Sequence, residues 1–255
     1  MAQPRDFYDD LASEYHLLFS DWWAAALEHA EIVSRLLTEH GVRTGSRLLD
    51  CTCGIGTQAL PLAALGYDLT GTDISPRSVE RARTEAQRRD LQLQLATADV
   101  RHVDEATNGL FDAVISCDNA LPHLLTDADL EQAIRSIRAC LGDGGVFLAS
   151  VRDYDTLAAD RPTGTPVSIH GAPGARHASG QAWAWSPDGQ QVQITLLVAA
   201  ESPDGAWRTS VRETTYRVLR RETLTTLLRS NGFSAVEWLR PAESGYYQPV
   251  LIAVA

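Results

Sequence analysis

LLDCTCGIGTQAL, Leu48–Leu60, runs from a short apolar strand through an acid, two cysteines and two glycines into a segment with helical spacing. A strand that breaks at a glycine turn and feeds a helix is the opening unit of a doubly wound α/β sheet. Downstream the same grammar repeats. The pattern predicts strands at Ser46–Asp50, Tyr67–Asp73, Leu91–Asp99, Phe111–Cys117 and Gly145–Val151, with helices from Thr57, from Pro76 and across Asp127–Leu141. Asp50, Asp73 and Asp99 close successive strands at intervals of 23 and 26 residues, each about one βα unit plus the next strand. Upstream, Asp21–His40 sets Trp22, Trp23, Ala26, Leu27, Ala30, Val33, Leu36 and Leu37 at helical intervals, with Asp21 as N-cap and Gly41 as stop.

Beyond Val151 the pattern changes. Asp160–Gly180 is rich in Pro, Gly and His, and two copies of SPDG, at Ser186 and Ser202, mark turns between antiparallel strands. Ala182–Ser186, Gln191–Ala200 and Trp207–Val218 read as a small antiparallel layer. A helix at Glu222–Asn231 and a strand within SGYYQPVLIAVA then return the chain to the main sheet. The expected fold is α/β: a doubly wound, mostly parallel, Rossmann-like seven-stranded sheet with a small antiparallel β insertion. That insertion either roofs the active site or extends the sheet without touching ligand.

The chain has 255 residues, 44% hydrophobic and 22% charged, enough for one sizeable core. Its net charge of -11 repels polyanions, so no nucleic-acid partner is expected. The most basic stretch, RARTEAQRR at Arg81–Arg89, carries Glu85 and reads as a solvated helix face. No segment has the roughly 18 apolar residues of a membrane span, and MAQPRDFYDD lacks the order of a signal peptide. The expectation is a cytoplasmic protein without a membrane partner. Cys51, Cys53 and Cys117 lie near strand ends but form no CxxC pair, so they read as small buried thiols and no metal is expected.

Gly54, Gly56 and Ala59 satisfy G-x-G-x-x-A after a strand, and Asp73 follows at the distance of a ribose-binding acid, which on pattern alone allows an NAD site. Asp50 argues otherwise. A carboxylate in the turn that feeds a helix N-terminus would repel a pyrophosphate, by roughly 4 kcal/mol for unit charges about 4 Å apart at an effective dielectric of about 20. S-adenosylmethionine carries no phosphate and offers two cations, an ammonium and a sulfonium. Asp73 then suits the ribose hydroxyls and Asp99 the adenine amine. Either acid alone could be a helix cap; the spacing of all three favours the ligand.

On these residues the sequence resembles the class I S-adenosylmethionine-dependent methyltransferases, most of all the glycine and sarcosine N-methyltransferase group, over nearly its whole length. The resemblance implies a single methyltransferase domain over 1–255: a helical cover at 1–45, a cofactor-binding core at 46–152, an acceptor-side insertion at 153–219 and a closing helix and strand at 220–255. LLDCTCGIGTQ resembles the cofactor loop and so implicates Asp50, Cys51, Gly54, Gly56 and Gln58; Thr52 stands where many members have glycine or alanine. TGTDIS resembles the ribose segment, with Asp73 and Ile74, and ATADV the adenine segment, with Asp99 and Val100. Cys117, at the end of the fourth strand, and Tyr15 complete the expected contacts to S-adenosylmethionine, whose product is S-adenosylhomocysteine.

The resemblance also places acceptor residues. Asn119 in SCDNALPHL and Arg152 and Tyr154 in SVRDYD match the group's acceptor elements, with Arg152 on a substrate carboxylate. The bland reading makes Arg152 a surface residue paired with Asp153 or Asp155. His123 is either a general base or a structural hydrogen-bonder, and His170, Tyr15 and Tyr247 are candidates for the cavity wall. The reaction expected is in-line methyl transfer to the amine of a small amino-acid-like acceptor, with no single base indispensable. Three rivals stay open: an O- or C-methyltransferase with His123 as base, an NAD-dependent oxidoreductase, and a non-catalytic cofactor-binding regulator. A homo-oligomer is also compatible with the sequence.

Overall fold

The computed structural model describes residues 3–255. The main sheet contains β1 (Arg47–Asp50), β2 (Asp68–Asp73), β3 (Gln94–Thr97), β4 (Phe111–Ser116), β5 (Leu141–Ser150), β10 (Ala235–Leu239) and β11 (Val250–Val254). Their order is β10-β11-β5-β4-β1-β2-β3, parallel throughout except for β11, which runs antiparallel to both neighbours. The strand order therefore reverses between β1 and β4, and ligands of open α/β sheets bind beyond the strand ends at such a reversal.

The central strands are apolar on both faces, as a sheet covered on both sides requires. Leu49, Val114 and Phe147 face α6 (Asp127–Ala139) and α8 (Arg221–Ser230), packing on Ile134 and Leu228. Leu48, Ala113 and Leu148 face α2 (Trp22–Glu39) and α3 (Ala59–Ala64), packing on Val33 and Leu62. Asp21 caps α2 by accepting from Ala24 N at 3.0 Å. Helix α3 begins two residues after Thr57, because Thr57 and Gln58 still belong to the turn. Gly56 is required there: φ is +93°, and a Cβ would lie 2.6 Å from Leu60 Cγ. Helix α4 (Pro76–Arg88) and the single turn α5 (Val103–Ala106) complete the parallel half.

The insertion is larger than the sequence suggests. It has four antiparallel strands rather than three: β6 (Gly164–His170), β7 (His177–Trp185), β8 (Gln191–Glu201) and β9 (Trp207–Arg217). Asp160–Gly180, which reads as turn-rich, supplies the end of α7 (Tyr154–Asp160), then β6 and the first part of β7. Its Gly, Pro and Ser residues and the exposure of β6 hide the alternation. Two other elements escape the pattern. Strand β10 is an edge strand paired only with β11, beside the short α9 (Pro241–Ser244), and α1 (Pro4–Leu11) precedes the expected cover helix. Phe7 and Leu11 of α1 pack on Leu196 and Val198 of β8, so the N-terminus clamps the insertion over the sheet. Among the described residues no helix is long and apolar enough to cross a membrane.

Candidate active site

Two lobes of one cleft open beyond the ends of β1 and β4. The first, of about 500 Å³, lies on the glycine turn and the ends of β2 and β3; the second, of about 420 Å³, lies between α1 and the insertion. Tyr8, Tyr15 and Asp118 line both and so mark where they meet.

Nine of the eleven expected cofactor residues border the first lobe: Tyr15, Cys51, Gly54, Gln58, Asp73, Ile74, Asp99, Val100 and Cys117. Gly56 and Asp50 do not. Gly56 is turned onto Leu60, and Asp50 lies behind the turn, 1% exposed, because the end of β1 is covered on both faces. Asp50 Oδ1 accepts from Thr52 N at 3.2 Å, whereas Oδ2 is buried without a partner among the described residues. Burial pushes its pKa up to about 8, so without ligand the group is mostly neutral at pH 7. The open negative charge expected in the turn is therefore corrected to an orphaned acceptor behind it.

The turn itself is ill suited to phosphate. The N–H of Thr52 donates to Asp50, that of Cys53 to Thr72 O, that of Gly54 to Asp73 Oδ2 and that of Gly56 to Cys53 O. Four amides that could cradle an anion are spent inside the protein. Asp73 also accepts from Ser75 N at 2.8 Å, and burial pushes it up to about 6. Asp99 is both a cap and a wall residue: it caps a short 3₁₀ turn through Arg101 N and is gripped by the Arg101 guanidinium. Burial of Asp99 is outweighed by Arg101, which holds the carboxyl below its usual range. Thr52 Oγ1 bonds Ser116 Oγ at 3.0 Å, joining β1 to β4, which accounts for a hydroxyl at a position where small residues are common. Acids and apolar walls with an orphaned carboxyl oxygen fit S-adenosylmethionine, and the inward amides do not fit a diphosphate.

On the acceptor side, Arg152 lines the second lobe. Its Nη2 donates to Gln181 Oε1 at 3.3 Å, its Nη1 is buried without a partner among the described residues, and its guanidinium lies 5.0 Å from the Trp183 ring and 5.3 Å from that of Tyr216. Asp153 and Asp155 pair with Arg221 instead, which corrects the surface-pair reading of Arg152. Asn119 and Tyr154, expected to face the acceptor, sit behind the wall, 2% and 1% exposed. Asn119 Oδ1 accepts from Arg152 N at 3.1 Å and its Nδ2 donates to Tyr154 Oη at 3.0 Å, so both residues position the arginine.

His123 borders the first lobe, with Tyr8 Oη 2.9 Å from Nε2 and its ring 4.4 Å from that of Tyr216. Burial, then the Arg152 charge, pushes its pKa down to about 3, which makes a neutral and weakly basic imidazole. His170 lies outside both lobes; β6 carries it to the outer edge of the insertion, 5.6 Å from the His177 ring. Tyr247 lines the second lobe and donates to Asp118 Oδ1 at 2.9 Å.

Sequence reasoning missed Asp118 and Tyr8, and of the insertion's residues it named only His170. Gln181, Ile194, Leu196, Thr214 and Tyr216 face the second lobe, so the antiparallel layer is a roof. Asp118 and Asn119 both have left-handed backbones, φ +57° and +68°. The available signal was the Asp-Asn pair after a strand, since these two residue types tolerate that conformation.

Residues 48–145 match the family described as a methyltransferase domain. The glycine/sarcosine N-methyltransferase of Parasynechococcus marenigrum is 33% identical over 153 residues, 60% of this chain and 53% of that protein. The chain spans about half the length of the first curated relatives it matches. Among solved structures, DesVI of Streptomyces venezuelae superposes with a TM-score of 0.76 at 20% identity, over 100% of this chain and 99% of that one. The sugar N-methyltransferase KedS8 from Streptoalloteichus sp. gives 0.72 at 20% identity, over 100% and 93%. Motif, strand order and cleft agree with these matches: residues 48–145 match a methyltransferase domain, and the chain shares the fold of S-adenosylmethionine-dependent methyltransferases of known structure.

Proposed function

We propose that the chain transfers a methyl group from S-adenosylmethionine to the nitrogen of a small amine of amino-acid type. The observation that carries this reading is Arg152: a half-buried residue whose buried Nη1 has no partner among the described residues, facing a lobe that adjoins the first. A guanidinium so placed is completed by a carboxylate, which can take both nitrogens of the fork. The glycine/sarcosine and sugar N-methyltransferases among the matches support nitrogen as the accepting atom.

Bound in the first lobe, S-adenosylmethionine supplies a methyl carbon on a positively charged sulfur, which departs as a neutral thioether. The chain's own residues do the rest. Asp73, Asp99 and the turn from Cys51 to Gln58 hold the donor, and Asp50 behind the turn offers an acceptor oxygen without a partner among the described residues. Asn119 and Tyr154 fix Arg152, Arg152 orients the acceptor, and α1 and the roof keep water out. An acceptor that binds as an ammonium gives up one proton to solvent before the chemistry, and the neutral amine so formed needs no base at the moment of attack. His123, pushed down to about 3, is a poor proton acceptor for a hydroxyl, which argues against O-methylation through it.

The test is turnover of labelled cofactor with a panel of small amines and amino acids, each run with its decarboxylated counterpart, on the wild type and Arg152→Ala. The substitution is expected to abolish the preference for the carboxylated member. Equal losses on both members would remove Arg152 from carboxylate binding.

A further inference from the structure

We propose that Asp118 is the opposite pole of the acceptor lobe, the group that receives the acceptor's ammonium, and that the lobe takes an amino-acid zwitterion with an apolar side chain. The inference rests on the N-methyl transfer read above and adds the amine-holding residue and the class of acceptor.

Among the described residues, the second lobe is lined by one carboxylate, Asp118, and one guanidinium, Arg152. Neither is neutralised. The Asp118 carboxylate accepts only from uncharged donors among the described residues: Oδ1 from Tyr246 Oη at 2.6 Å and Tyr247 Oη at 2.9 Å, Oδ2 from Gln58 Nε2 at 2.8 Å. The Arg152 guanidinium has, among the described residues, only the neutral Gln181 and two aromatic faces. Both charges bear on the same phenols: after burial, Asp118 raises the pKa of Tyr15 and Tyr247, and Arg152 opposes it. Opposite charges that share a cavity without pairing each lack the partner that a partly desolvated charge requires. A ligand carrying both an ammonium and a carboxylate supplies the two missing partners at once.

The loop geometry holds Asp118 in this role. Its left-handed backbone is pinned by N–H donation to Ser150 Oγ at 2.7 Å, and its side chain is oriented by three donors from two separate segments. The lobe also exceeds what glycine fills. About 420 Å³ is room for on the order of a dozen water-sized groups, and Phe7, Leu11, Leu18, Phe19 and Leu196 give it an apolar wall. Asp118 borders the first lobe too, so the rival assignment is the cofactor's own ammonium.

The experiment is calorimetric titration of the protein loaded with S-adenosylhomocysteine. The ligands are leucine, phenylalanine and glycine, the amines 3-methylbutylamine and phenethylamine, and the amine-free acids 4-methylpentanoate and 3-phenylpropanoate. For the wild type, leucine or phenylalanine is expected to bind more tightly than glycine, and loss of either charge from the ligand to weaken binding about tenfold or more. Asp118→Asn is expected to weaken the amino acids by about the same factor while leaving the amine-free acids and S-adenosylhomocysteine unaffected. Four results overturn the proposal: no amino acid bound by the wild type, amine-free acids binding the wild type as well as the amino acids, a loss of S-adenosylhomocysteine affinity in Asp118→Asn, or an equal loss for ligands with and without an amine. The wild-type comparison needs no variant and decides the matter even where Asp118→Asn does not fold. Failure of the N-methyl reading itself shows separately, as labelled methyl reaching oxygen, carbon or no acceptor in turnover.

Discussion

Asp50 shows how a single buried group ties stability to function. Its pKa is raised from 3.8 to about 8 by burial, so folding takes up a proton between those values, and the stability this group contributes is lost as pH rises through about 8. Asp73, raised to about 6, acts in the same direction over a narrower window. Asp50→Asn is therefore expected to raise the ligand-free melting temperature at pH 8 to 9, by about 2–4 °C for each kcal/mol recovered, and to change it little near pH 4. The same variant should bind S-adenosylmethionine less tightly. Melting curves across pH, with and without cofactor, check both halves; a variant less stable at pH 9 would contradict the assignment. Asn119 offers a second prediction. At φ +68°, Ala costs about 1–2 kcal/mol that Gly does not, while either replacement deletes the bonds to Arg152 N and Tyr154 Oη. Asn119→Gly should be more stable than Asn119→Ala in denaturant, yet both should raise the acceptor KM, because Arg152 is no longer held. Residue types were legible from sequence here, but directions were not. Two successive left-handed residues after β4 break the alternation that would have said which of Asp118 and Asn119 faces the cleft.

At the level of elements, what the sequence revealed follows from how much periodic burial each one carries. Strand β1 is a compact buried apolar run and helix α2 buries a long periodic face, and these patterns gave them away. Helix α1 has eight residues, of which only Phe7 and Leu11 are buried, too few to show a period against its charges. Strand β6 is exposed along most of its length and β10 lies at an edge, so neither needs an apolar face. Yet α1 matters to the site. It sends Tyr8 into both lobes and joins the roof through Phe7 and Leu11, while the two large core clusters contain none of its residues. Removing residues 1–12 should therefore leave the main sheet folded but weaken S-adenosylhomocysteine binding about tenfold or more, through loss of cleft wall and entry of water. Far-ultraviolet circular dichroism and calorimetry on the truncated protein check the two parts. Retained affinity would show that α1 is a cover without consequence for the cleft.

For the whole molecule, the parallel succession of strands and helices was legible because three acids follow three strands at similar intervals, whereas the joining of two lobes under a roof depends on contacts between segments over 100 residues apart, such as Tyr8 with His123. Those contacts bind sheet, roof and N-terminus into one unit around the cleft, so a ligand in the first lobe should stabilise all of it together. At about 100 times its dissociation constant a ligand adds about 2.7 kcal/mol, which for a chain of this size is a rise of about 5–11 °C. S-adenosylhomocysteine is expected to produce that shift in a single transition. NAD at the same concentration should produce none, because the amides of Thr52, Cys53, Gly54 and Gly56 are already committed within the protein and offer a diphosphate nothing. Differential scanning calorimetry separates the outcomes. A shift with NAD would mean that the turn reopens and that its inward hydrogen bonds are no barrier to phosphate; two transitions, only one of them ligand-sensitive, would mean that the roof melts apart from the sheet and cannot seal the cleft.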